Sequence, residues 1–268
     1  MTAPRYRLAA IDLDGTLLRR DYTLSVRSER ALATARAAGV EVVFVTARHP
    51  AAVLDYAARL GLAGEAICCV GSAVCELPSG EVTWSDAIPA HAAATVARRV
   101  RAVFPRLHLG WVLRGGPVGY QHGYPPPLLL GESFFGDPTA IAEPVLKLWL
   151  AGGDLDGTVP DGLAAALGGL VDIAHVGPGF VDLVAPGASK VGTLAELARR
   201  RGLGPDDVVA FGDTSADIDM VRWAGHGVVM ANADPALHAF ADEIAPDCDD
   251  DGVAVVLERL CAEEVSVP

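Results

Sequence analysis

Tyr6-Arg7-Leu8-Ala9-Ala10-Ile11-Asp12-Leu13-Asp14-Gly15-Thr16 is an apolar run that ends on two aspartates and a glycine. A short apolar run closed by turn residues reads as a buried strand. A second such run, residues 40–45, leads into Thr46, and helical periodicity follows each of them. The spacing predicts a helix over 26–38, opened by Ser25 as N-cap and closed by Gly39, and a second helix from Pro50 to Gly61. Residues 66–70 form a third predicted strand. Strands alternating with helices imply a parallel, doubly wound α/β sheet of Rossmann type, whose functional loops leave the carboxyl ends of the strands.

That rhythm breaks after residue 82. A helix is predicted over 90–104, a Gly- and Pro-rich passage over 115–127, a strand over 145–150, a helix over 160–167, and strands over 171–175 and 180–185. The βα pattern then resumes with a helix over 191–201, a strand over 208–211 running into Gly212 and Asp213, a helix over 217–224 and a strand over 228–230. A core of residues 1–83 and 186–268 is therefore expected, with an α+β domain, 84–185, inserted into it. A chain of 268 residues suits one large or two interlocked domains. No internal repeat or low-complexity tract interrupts it, and Tyr124-Pro125-Pro126-Pro127 reads as a rigid turn in the insertion.

With 51% apolar and 21% charged residues the composition is globular, which excludes disorder and fibre. Acids outnumber bases 34 to 21, and a net charge of −13 argues against nucleic acid or an anionic membrane as partner. No apolar run approaches the roughly 20 residues of a membrane span, and the N-terminus lacks a signal-peptide core, so a cytoplasmic chain is expected. Five cysteines include the adjacent Cys68 and Cys69, read as buried free thiols; there is no CxxC pair, and the seven histidines lack metal-ligand spacing.

Asp12 and Asp14, two apart at a strand end, place like charges on one side of the sheet's functional edge. Near 4 Å such charges repel by about 4 kcal/mol at an effective dielectric of 20, so a cation or a shared proton is required. A calcium loop is excluded because the twelfth position from Asp12 is Thr23, where a bidentate Glu is needed. A Walker loop is excluded because the only lysines, Lys147 and Lys190, do not follow glycine. Gly187-Ala188-Ser189-Lys190-Val191 lacks the last glycine of a serine nucleophile elbow.

Four separated stretches, taken together, resemble the haloacid dehalogenase superfamily of phosphatases, in its Cof-like branch with a large α/β cap. Asp12-Leu13-Asp14-Gly15-Thr16 is similar to the first motif and Val45-Thr46-Ala47-Arg48 to the second. Lys190, in Ser189-Lys190-Val191-Gly192, corresponds to the third, and Gly212-Asp213-Thr214-Ser215-Ala216-Asp217 to the fourth. Met230-Ala231-Asn232-Ala233 and Asp251-Gly252-Val253-Ala254 also match. Two positions depart from the pattern: Ala216 and Val70 stand where the family usually has Asn. Losing polar groups around a metal site bears on rate and metal affinity.

The resemblance implies magnesium-dependent hydrolysis of a small phosphate monoester, a sugar phosphate in the first instance. Asp12 would be the nucleophile, forming an aspartyl phosphate, and Asp14 the general acid and then base, a role that benefits from a raised pKa. Asp12, the Asp14 backbone carbonyl and Asp213, with Asp217 as a further candidate, would hold Mg2+. Lys190, the Thr46 hydroxyl and the Ala47 amide would bind phosphoryl oxygens, with Gly15, Thr16, Arg48 and Gly212 in support. The insertion would select the alcohol portion, with Trp111, Arg114, Tyr120 and His122 as candidate contacts.

Plainer roles stand beside these. Thr46 suits a helix N-cap, Lys190 a solvated first-turn lysine, and Asp213 and Asp217 an N-cap and an exposed acid. The arginines near predicted helix C-termini suit the helix dipole. A phosphomutase and a non-catalytic phosphate-ester-binding protein are the rival functions.

Overall fold

The computed structural model describes residues 4–124 and 132–265. In chain order the elements are β1 (Leu8–Ile11), α1 (Val26–Ala37), β2 (Glu41–Phe44), α2 (Leu54–Arg59), β3 (Gly64–Cys68), β4 (Ala73–Leu77), β5 (Val82–Ser85), α3 (Ala90–Val103), β6 (His108–Leu113), β7 (Val118–Gln121), β8 (Ser133–Gly136) and β9 (Val145–Asp156). Then follow α4 (Leu163–Leu167), β10 (Asp172–Val184), α5 (Lys190–Arg200), β11 (Val208–Gly212), α6 (Ile218–Trp223), β12 (His226–Met230), β13 (Glu243–Ala245) and α7 (Gly252–Val265).

The chain divides into two compact units. One holds the residues up to Thr46, Asp55–Ile67 and those from Lys190 onward; the other holds Ala47–Leu54 and Cys68–Ser189. The return falls at Lys190, four residues beyond the expected 186. The departure falls at Cys68 rather than 84, because β4 and β5 pair antiparallel as a hairpin within the second unit.

The first unit is built on a parallel sheet of order β13-β12-β11-β1-β2. β1 is buried along its whole length, as a central parallel strand covered on both faces must be. The Ser25 hydroxyl caps α1 by accepting from the Ser28 amide at 2.9 Å, and Gly39, with φ +97°, turns the chain into β2. In register, Ile11 lies beside Phe44 on one side and Phe211 on the other, while Phe211 lies beside Val228. The chain therefore leaves β1, β2, β11 and β12 along one edge of the sheet. The expected helix over 50–61 is a 3-10 turn, Pro50–Ala52, followed by the short α2.

In the second unit the sheet order is β10-β9-β6-β7-β8, antiparallel except for β7 and β8. One face carries Leu109, Trp111, Leu148, Leu150, Val181 and Leu183, which share a core with Val96 and Val100 of α3 and Leu163 and Leu167 of α4. The alternation places Lys147, Trp149, Asp182 and Tyr120 on the other face. The two strands expected over 171–185 are one, β10, with a register shift between Pro178 and Phe180. Residues 125–127 of the proposed rigid turn lie outside the described residues. Among the described residues no helix is long and apolar enough to cross a membrane.

Candidate active site

Asp12 follows β1 directly, its amide bonded to the Phe211 carbonyl at 3.1 Å, and the residue is 5% exposed. The chain does not stay extended beyond it. Thr16 and Leu18 amides donate to the Leu13 carbonyl and the Leu17 amide to that of Asp12, so residues 12–18 form a compact turn. Gly15 makes that turn possible: its φ is +78°, and a Cβ there would overlap Asp213 Oδ2. Thr16 Oγ1 donates to Asp213 Oδ1 at 2.7 Å and fixes that carboxylate. The first and fourth motifs thus lock together across 197 residues.

The carboxylates that converge are Asp12, Asp213 and Asp217, with one oxygen of each within 4.8 Å of the others. Asp14 is half-buried and stands outside that trio, although its charge reaches Asp213. Lys190, the first residue of α5 and 3% exposed, bonds Asp12 Oδ1 at 2.6 Å and Asp217 Oδ1 at 2.7 Å. It is no solvated lysine. Burial works against its charge, yet the two carboxylates more than compensate and hold its pKa above the ordinary value.

Asp217, a further candidate for the metal, also holds its surroundings together through both oxygens. Oδ1 takes Lys190, while Oδ2 accepts from the Thr214 hydroxyl at 2.8 Å, the Thr214 amide at 3.0 Å and the Asp213 amide at 3.3 Å. Its carboxylate therefore orients Lys190 and folds the 213–214 turn. Burial would raise its pKa, but Lys190 and the Thr214 donors hold it below the usual range. Gly212 is required beside it, because a Cβ at that position would overlap the Asp217 side chain.

Burial pushes the Asp213 carboxyl up to about 7, reinforced by Asp217 and opposed by Thr16 and Lys190. Burial likewise raises Asp12, against Lys190 and with the charges of Asp217 and Asp213 adding to it. Three acids around one lysine give a formal surplus of two negative charges, which the raised Asp12 and Asp213 resist, and every donor is an oxygen. That is the chemistry of a hard divalent cation. Asp12 and Asp213 fit magnesium's habit of binding through one or two carboxylates and water, and Asp217 lies close enough to offer a further oxygen.

Thr46, fully buried, follows β2 and donates its amide to the Ile67 carbonyl at 2.9 Å. Ala47 and Arg48 belong to the second unit, where Lys147 Nζ donates to the Ala47 carbonyl at 2.8 Å and the Cys69 amide to that of Arg48 at 2.8 Å. Of the candidate specificity residues, Arg114 and His122 are exposed, the latter stacked on Phe135. Tyr120 is buried among Tyr124, Phe135 and Trp149, and Trp111 lies on the opposite face, in the core beneath Gly119. Both aromatic residues pack their sheet.

Asn232, in the Met230-Ala231-Asn232-Ala233 stretch, joins the site without a role foreseen from sequence. Its amide donates to the Gly15 carbonyl at 2.8 Å and its oxygen accepts from Cys248 N at 2.9 Å, tying the loop after β12 to the first motif. A short polar side chain just past a buried strand is the signal that marked it.

Comparison with known proteins gives the family. A model of the haloacid dehalogenase-like hydrolases matches residues 9–106 and 154–257, and the chain belongs to that family. It is 30% identical to pyridoxal phosphate phosphatase YbhA of Escherichia coli K12, over 92% of this chain and 96% of that protein. It is 28% identical to an HMP-PP phosphatase of Yersinia pestis, over 95% of each. A haloacid dehalogenase-like hydrolase from Bacteroides thetaiotaomicron shares the fold with a TM-score of 0.82, at 24% identity over 95% of this chain and 99% of that one. The subclass IIB sugar phosphatase BT4131 does so at 0.81, with 21% identity over 94% and 98%. The chain is a phosphatase of this family, with a Rossmann-like core and an inserted cap.

Proposed function

We propose that the chain hydrolyses a small phosphate monoester through an aspartyl phosphate on Asp12, with Mg2+ as cofactor. The observation that carries this reading is the Asp12 carboxylate, buried at the end of β1 and held by Lys190 at 2.6 Å beside an Asp213 that Thr16 fixes. Asp12, Asp213 and the Asp14 backbone carbonyl would hold the ion, which when bound would neutralise the phosphoryl group's charge. Lys190 supplies the protein's own positive charge, and its bond to Asp217 keeps it directed at Asp12.

In the first step an Asp12 oxygen bonds to phosphorus and the ester oxygen departs with a proton from Asp14. In the second, Asp14 takes a proton from water as that water attacks phosphorus and frees Asp12. Asp14 suits this exchange because its carboxyl stands outside the buried trio. The Thr46 hydroxyl and the Ala47 amide would donate to phosphoryl oxygens.

The substrate is a phosphorylated metabolite. Sugar phosphates are the class that the resemblance favours, and the named relatives add pyridoxal phosphate and HMP-PP to the candidates. The test is phosphate release from a panel of these esters, with magnesium and with chelator, beside Asp12→Asn. Release that needs both magnesium and Asp12 is expected. Full turnover in chelator, or by the variant, would overturn the mechanism.

A further inference from the structure

Both lysines of the chain are buried, yet only Lys190 belongs to the carboxylate cluster. Lys147 stands on β9, two residues before Trp149 and on the same face of the second unit's sheet. Its Nζ lies 2.9 Å from Oδ1 of Asp182 on β10, and donates at 2.8 Å to the Ala47 carbonyl, 100 residues away in sequence. Nδ1 of His175 is 3.7 Å from the other Asp182 oxygen, and the Trp149 ring lies 5.7 Å from Nζ.

A charge of each sign has thus been taken out of water around a single backbone carbonyl. Desolvation offsets most of the attraction in such a pair, and apolar residues of similar volume would hold the sheet as well. What the pair supplies that apolar residues would not is a directed bond to Ala47. The chain is anchored on both sides of the Ala47 amide: Thr46 N is bonded to the Ile67 carbonyl, and Ala47 O to Lys147.

We infer that Lys147, held by Asp182, is a positioning residue that fixes the Ala47–Arg48 peptide and, through Ala47, the amide that would donate to phosphoryl oxygens. This rests on the reading of the Thr46-Ala47 stretch as phosphoryl donors. A donor aimed at phosphoryl oxygens meets ester and inorganic phosphate alike, so its misplacement weakens the binding of both.

The test compares Lys147→Met, and Lys147→Met/Asp182→Leu, which leaves no unpaired buried charge, with wild type. KM for an ester and Ki for inorganic phosphate should both rise about tenfold in the double variant, even where its thermal unfolding matches wild type. Unchanged KM and Ki in that folded variant would overturn the assignment. So would a raised KM with an unchanged Ki, because Lys147 would then touch the alcohol portion instead. A wild-type chain that neither hydrolyses esters nor binds inorganic phosphate would overturn the proposed function as well, which separates the two failures.

Discussion

Burial pushes the His49 imidazole down to about 4, and the cations of Lys147 and Arg48 add to the shift. An unfolded histidine titrates near 6.5, so as pH falls from about 6.5 to about 4 the unfolded chain takes up a proton that the folded chain refuses. His49 therefore leaves stability intact above pH 6.5 and removes it progressively below. Urea midpoints measured across that window should fall in wild type and fall less in His49→Gln; equal slopes would contradict the assignment. In the first unit, Asp12→Asn should lower kcat by at least about 10³-fold while the variant remains folded, as loss of a nucleophile does. Asp217→Asn should cost about 10- to 100-fold, because Lys190 and the 213–214 turn lose their common anchor while the reacting groups remain. Steady-state kinetics of the two variants side by side checks that ranking.

The turn after β3 puts two successive non-glycine residues in the left-handed region, Cys69 at φ +53° and the β-branched Val70 at φ +57°. Such a backbone costs of order 1–3 kcal/mol for a branched residue, while burying a valine side chain returns about 1.5–3. Val70→Asn should therefore cost about 1–3 kcal/mol less than the same exchange at an ordinary buried valine, because Asn accepts this conformation where Val resists it. Val43→Asn, at a fully buried site of ordinary strand geometry, should cost several kcal/mol. Chemical denaturation of both variants decides this. Local pattern made β1, α1, β2, α5, β11 and β12 legible, since apolar runs and caps lie within each segment. β6 stayed hidden because Gly110 interrupts it, and the cause of that glycine is distant: a Cβ there would overlap the Trp149 ring across the β6–β9 pair. The site residues that adjoin strand ends were readable, whereas the engagement of Asp217 and the buried pairing of Lys147 depend on partners 27 and 35 residues away.

Taken whole, the first unit carries a surplus of acid that folding must bury and that a divalent cation would relieve. A ligand bound only by the folded state at a hundred times its Kd stabilises by about 2.7 kcal/mol. Magnesium should accordingly raise the unfolding temperature by roughly 5–10 °C at that saturation, and Asp213→Asn should abolish most of the rise. Calorimetry with magnesium and with chelator measures it without reference to turnover. The same unit is discontinuous in the chain: β1 pairs with β2 nearby, but its other neighbour, β11, begins at Val208. During synthesis at about 5–20 residues per second, the apolar edge of β1 waits roughly 10–40 s for that partner to be made. For this interval the emerging polypeptide presents an unpaired hydrophobic edge on the ribosome, and the inserted unit, complete before Val208 emerges, folds while its host remains unfinished.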